Sequence, residues 1–80
     1  MKYIIFCKPT CPFCTQAVEV LEDAGKDFSV VNFSKEQQNL LEEMKLAMDW
    51  STVPMVFTKS NNDMKFIGGF TDLTKHLEDG

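Results

Sequence analysis

Residues 7–14 read Cys7-Lys8-Pro9-Thr10-Cys11-Pro12-Phe13-Cys14 and hold every cysteine of the 80-residue chain. Just before them, Lys2-Tyr3-Ile4-Ile5-Phe6-Cys7 is rich in β-branched and aromatic residues. This predicts a buried strand that stops at Lys8-Pro9, where proline cannot continue a ladder. Just after them, Cys14, Ala17, Val18, Leu21 and Ala24 recur at helical spacing, Glu19, Glu22 and Asp23 lie off that stripe, and Gly25 supplies a stop. The eight residues are therefore a strand-to-helix junction with Pro12 in the first helical turn.

The remaining elements follow from this junction. Asp27–Phe33 (DFSVVNF) predicts a second strand, and a strand–helix–strand unit of this size implies a right-handed parallel crossover. Ser34 and Gln37 have capping-box spacing, and Leu40, Leu41, Met44, Ala47 and Met48 then form the expected apolar face of a second helix, ending near Asp49-Trp50. Val53–Lys59 (VPMVFTK) and Met64–Ile67 (MKFI) read as an antiparallel hairpin across the polar turn Ser60-Asn61-Asn62-Asp63. Gly68-Gly69 break the last strand, Thr71 is the expected N-cap with Asp72 in the first turn, and Leu73 and Leu77 mark a short third helix. The order is β-α-β-α-β-β-α, without repeats or linkers, and a single domain over residues 1–80 is expected.

Composition bounds the partners. A hydrophobic share of 44% and a charged share of 25% are those of a folded globular chain. All eight basic residues are lysines against twelve acidic ones, and the net charge of −4 offers no basic footprint for nucleic acid or an anionic membrane. The apolar run in MKYIIF is too short for a signal peptide, and no stretch reaches membrane-spanning length, so the cytosol is the expected compartment.

Two cysteines separated by two residues fit either half a zinc knuckle or a redox pair. Zinc needs four ligands, and beyond Cys7 the only further good donor is His76 near the other end, which disfavours an intrachain site. As a redox pair the residues have distinct places. Cys11 falls at the helix N-terminus, where free amide donors and the dipole favour a thiolate, so its pKa is expected to fall. Cys14, on the apolar stripe one turn later, is expected to face inward as the resolving thiol. A disulfide closing so small a loop gains little chain entropy, so it suits a catalytic rather than a structural bond. Cys7 reads as a packing residue of the first strand, with a secondary oxidation site as the alternative.

The chain resembles the glutaredoxins. The resemblance rests on Lys8 with Cys11-Pro12-Phe13-Cys14, Thr52-Val53-Pro54 before the third strand, Gly68-Gly69, and Thr71-Asp72 at the last helix, and it spans essentially the whole sequence. It implies a thioredoxin fold, a four-stranded mixed sheet in the order 2-1-3-4 flanked by three helices, with a cis Val53–Pro54 bond facing the cysteines. It also implies glutathione as reducing co-substrate. Cys11 and Cys14 would be the catalytic residues, and the glutathione-binding set would comprise Lys8, Phe13, Gln38, Thr52, Val53, Pro54, Gly69, Thr71 and Asp72. In that arrangement the exposed Val53 backbone pairs with glutathione as an added strand does. The γ-glutamyl carboxylate meets the start of the last helix, Asp72 pairs with the ligand's amino group, and the glycyl carboxylate faces Lys8 and Gln38.

Departures are informative. Phe13 replaces the family's usual tyrosine, and Cys7 stands where a hydroxyl side chain is usual. Pro12 disfavours an iron–sulfur cluster, so no metal is expected. The reading is thus a monomeric dithiol enzyme reducing protein disulfides and glutathione mixed disulfides. Alternatives are a redoxin recharged by thioredoxin reductase, serving ribonucleotide reductase, and a cluster-carrying module.

Overall fold

The computed structural model describes residues 2–8, 11–51 and 53–79. β1 (Lys2–Cys7) alternates strictly: Tyr3, Ile5 and Cys7 are buried toward one face, while Ile4 and Phe6 are half-buried toward the other. Apolar side chains on both faces require cover on both sides, and β1 accordingly lies inside the sheet. It pairs in parallel with β2 (Phe28–Asn32), with Ile5 opposite Val30, and antiparallel with β3 (Met55–Ser60), with Ile5 opposite Val56. β4 (Asp63–Gly68) pairs antiparallel with β3 and completes the order β2-β1-β3-β4, as the resemblance implied.

α1 (Pro12–Asp23) and α3 (Phe70–Asp79) cover one face, where Cys14, Ala17, Leu21 and Leu73 pack on Tyr3, Ile5, Cys7 and Val56. α2 (Gln38–Ala47) covers the other, where Leu41 joins Phe33, Met55 and Phe57. Each of the larger buried side chains contributes about 1.5–3 kcal/mol by leaving water. The two hydrophobic clusters thus fix β1 and β3 as the rigid centre on which the α1 N-terminus rests.

Four local expectations are corrected. Ser34 and Gln37 do interact, the Ser34 amide donating to Gln37 Oε1 at 3.0 Å, but they open a 3₁₀ turn at Lys35–Gln37 before α2 begins at Gln38. The face of α2 is narrower than expected: Leu41 is buried and Met44 half-buried, whereas Leu40, Ala47 and Met48 are exposed. Lys45 takes the inner place instead, its stem buried and its ammonium pairing with Glu42 at 3.2 Å, because a long aliphatic stem covers apolar surface as well as a methionine does. α3 starts one residue before Thr71, so Thr71 is not its N-cap. Gly69 holds that position, its carbonyl accepting from the Leu73 amide at 3.0 Å and its amide donating to the Asp72 carboxylate at 3.0 Å. β3 likewise begins at Met55 rather than Val53, and Pro9, the expected stop of β1, lies outside the described residues.

Candidate active site

Helix α1 begins where β1 has delivered the chain to the edge of the core. Cys11 is its N-cap, with extended backbone (φ −96°, ψ 110°), and Pro12 occupies the first turn, where the missing amide is no loss. The Cys11 carbonyl accepts from the Cys14 amide at 3.2 Å and from the Thr15 amide at 3.4 Å. The Cys11 side chain remains half-buried, and its thiol donates to the Val53 carbonyl at 3.7 Å. Cys14, one turn on, is 6% exposed and belongs to the core beneath. All three cysteines are free thiols.

The charge state of Cys11 departs from the sequence expectation. Burial, first, and the neighbouring Cys14 thiol push its pKa up, while the amides of Cys14 and Phe13 pull it down, and the net direction is upward. The helix amides act as anticipated, but burial, which only tertiary folding brings about, outweighs them. The Cys14 thiol is pushed up far more strongly, first by its hydrogen bond to Cys7 and then by burial. Cys7 is held down by that same bond, against burial and the nearness of Cys11.

The Val53–Pro54 peptide bond is cis, as the resemblance implied. It borders a groove of about 280 Å³ that runs from Phe13 past Val53 and Pro54 to the start of α3 at Gly69, Thr71 and Asp72. The Phe13 ring, 54% exposed, leans on Phe70 with centroids 6.0 Å apart, which makes one wall. Gly68, at φ +131°, lets the Asp72 carboxylate close against its backbone, because any Cβ there would collide with that carboxylate.

Of the expected glutathione-binding set, the structure therefore brings Phe13, Val53, Pro54, Gly69, Thr71 and Asp72 to one groove. Lys8 is exposed and lies outside its walls. Gln38 also lies outside, and its amide nitrogen is already donated to the carbonyls of Phe33 (3.1 Å) and Ser34 (3.2 Å). Thr52 falls outside the described residues.

Two groove residues were not read from the sequence. Phe70 completes the aromatic wall, and Trp50, read from the sequence only as the approximate end of the second helix, also lines the groove. The Trp50 indole sits edge-on to Phe66 at 5.3 Å and against Gly69, with its Nε1 buried and without a hydrogen-bond partner among the described residues. A tryptophan near a loop gives no sequence signal for this, since its place depends on how β3 and β4 pair.

Comparison with known proteins places this geometry in a family. The glutaredoxin family model matches residues 3–61. Human Glutaredoxin-1 is 32% identical over an alignment of 87 positions, covering 99% of this chain and 76% of the human one. A Methanothermobacter marburgensis protein named "Probable Thioredoxin" is 28% identical over 68 residues, covering 85% of this chain and 79% of its own. The crystal structure of a buckwheat glutaredoxin–glutathione complex superposes with a TM-score of 0.82 at 20% identity, covering 98% of this chain and 69% of that one, a likeness of fold. With a family match over most of its length and the same strand–helix framework around Cys11 and Cys14, the chain belongs to the glutaredoxins, thiol oxidoreductases of the thioredoxin fold.

Proposed function

We propose that the protein is a glutathione-dependent dithiol glutaredoxin that reduces glutathione mixed disulfides and protein disulfides through Cys11 and Cys14. The observation that carries the reading is the half-buried Cys11 thiol, 3.7 Å from the carbonyl of Val53, which lines a groove reaching Gly69, Thr71 and Asp72 at the start of α3. That length of groove suits a short extended peptide thiol. A γ-glutamyl carboxylate finds the helix N-terminus, its ammonium finds Asp72, and the peptide backbone finds Val53. A relative in the same fold is described as a glutathione complex, which supports the same ligand here. Phe13 and Trp50 would flank the bound peptide. Lys8, Thr52 and Gln38 remain in the proposal for the glycyl end, Gln38 through its carbonyl or after releasing the Phe33 and Ser34 carbonyls.

In the proposed cycle a substrate backbone amide takes the Val53 carbonyl from the Cys11 thiol. Losing that acceptor removes one interaction favouring the protonated form, so binding activates the nucleophile. The Cys11 thiolate attacks the glutathione sulfur of a mixed disulfide and expels the protein thiol. A second glutathione then attacks the Cys11–glutathione bond and restores the thiolate. Protein disulfides additionally require Cys14 to attack the Cys11 mixed disulfide, and two glutathiones reduce the resulting Cys11–Cys14 bond. Among the described residues no helix is long and apolar enough to cross a membrane.

The test is a mixed-disulfide assay coupled to glutathione and its reductase. Cys11→Ser is expected to lower turnover by about a thousandfold or more, while Cys14→Ser stays within about fivefold of wild type. Equal losses in both variants would refute the assignment of roles. The likeness to a protein named thioredoxin supports a second reading, recharging by thioredoxin reductase, with ribonucleotide reductase as a client. Supplying that enzyme in place of glutathione separates the two.

A further inference from the structure

The third cysteine has no part in that cycle, yet it is not remote from it. Cys7 ends β1 on the inward face, 1% exposed, in the same buried cluster as Cys14, and Cys11 packs against that cluster. The Cys14 thiol interacts with the thiols of both Cys7 and Cys11, and the three side chains share one packed cluster at the junction of β1 and α1. Thiol–disulfide exchange requires such neighbours, one sulfur to attack the central atom and one to leave it.

We infer that Cys7 is a second disulfide partner for Cys14, so that the oxidised protein exchanges internally between a Cys11–Cys14 and a Cys7–Cys14 bond. The inference rests on the proposed redox role of Cys11 and Cys14. In the exchange the Cys7 sulfur, having lost its proton, attacks Cys14 Sγ. A Cys7–Cys14 bond forms, the Cys11–Cys14 bond breaks, and Cys11 leaves with the electron pair and takes up the proton. No electrons enter or leave the protein, and no outside oxidant is needed once the first disulfide exists. Closing the longer loop from residue 7 to residue 14 also constrains the unfolded chain slightly more than the four-residue loop does.

The exchange has a functional consequence. It returns the half-buried Cys11 as a free thiol while the resolving thiol is locked in the core. In that form the protein reacts with mixed disulfides through Cys11 alone. Under oxidising conditions a dithiol enzyme thereby becomes a single-thiol one.

The test oxidises wild-type, Cys7→Ser and Cys11→Ser proteins with excess oxidised glutathione. Samples are quenched in acid, labelled with N-ethylmaleimide, and mapped by fragment-ion mass spectrometry within the segment between Lys2 and Lys26. In wild type the expected product carries a Cys7–Cys14 link with the label or a glutathione adduct on Cys11, and Cys7→Ser, which cannot form that link, is expected to lower the fraction with Cys14 in an intramolecular disulfide and Cys11 labelled or glutathionylated to background while its Cys11–Cys14 bond rises. In folded Cys11→Ser, the expected product is an intramolecular disulfide with neither remaining thiol labelled. Label confined to Cys7 in oxidised wild type overturns the inference while leaving the Cys11–Cys14 reading intact, as does a Cys11→Ser protein carrying only glutathione adducts. Three labelled thiols after oxidation overturn both readings together.

Discussion

Cys14 carries the largest electrostatic consequence of any side chain in the fold. Its thiol is pushed far up, chiefly by the bond to Cys7, and so is almost wholly protonated at neutral pH. Resolution of a Cys11 mixed disulfide by Cys14 is therefore expected to accelerate about tenfold per pH unit from neutral into the alkaline range, because only the thiolate attacks. Stopped-flow measurement of that step checks the slope, and a rate independent of pH would remove Cys14 as the attacking group. For stability the sign is that of an acid whose folded pKa is raised: the contribution is complete below the unfolded thiol pKa and declines as pH rises above it. Gly68 is the other decisive position. Gly68→Ala is expected to destabilise by about 2 kcal/mol or more, since φ +131° disfavours a side chain and the new Cβ would meet the Asp72 carboxylate. Urea denaturation measures that loss, and the displaced carboxylate should also weaken ligand capture at the groove.

Helix α3 is held to the sheet by more than its apolar stripe. The Tyr3 hydroxyl, on a residue only 2% exposed, bonds His76 Nδ1 at 3.0 Å and ties β1 to the helix that bears Thr71 and Asp72. Tyr3→Phe is expected to reduce stability by about 1 kcal/mol, measured by chemical denaturation. Trp50→Phe should behave oppositely. It removes a buried donor without a partner among the described residues, so stability is expected to hold or rise by about 1 kcal/mol while the groove loses its indole wall. Elements of this kind also show what a sequence can carry. Strict alternation in β1 and the stripe from Cys14 to Leu21 encode burial locally, so the junction holding Cys11 and Cys14 was legible in advance. The inner face of α2 was not, because a three-residue 3₁₀ turn resets its phase and Lys45 can pack as an apolar stem. The N-cap at Gly69 was likewise hidden, since a glycine becomes a cap only when Asp72 reaches back to its amide. The groove walls at Trp50 and Phe70 depend on strand pairing and helix docking, and the raised pKa of Cys11 depends first on burial, which only tertiary packing supplies.

A chain of 80 residues has only about 4–12 kcal/mol of stability to spread over two hydrophobic clusters. Leu73 is fully buried where α3 meets the sheet, and Leu73→Ala is expected to remove about 2–5 kcal/mol, enough to lower the melting temperature by about ten degrees or more. A calorimetric shift of only a degree or two would mean that α3 contributes little to the cooperative core. The sheet has its own exposure along its β2 edge. β2 is an edge strand, and Val30 and Val31 on it are 37% and 40% open to solvent. An apolar edge with unpaired backbone groups is a template for a second chain, so crowding and heating act first through this strand, whose far end pairs with β1 at Cys7. Replacing Val31 with lysine would keep such copies apart in concentrated solution and leave turnover unchanged.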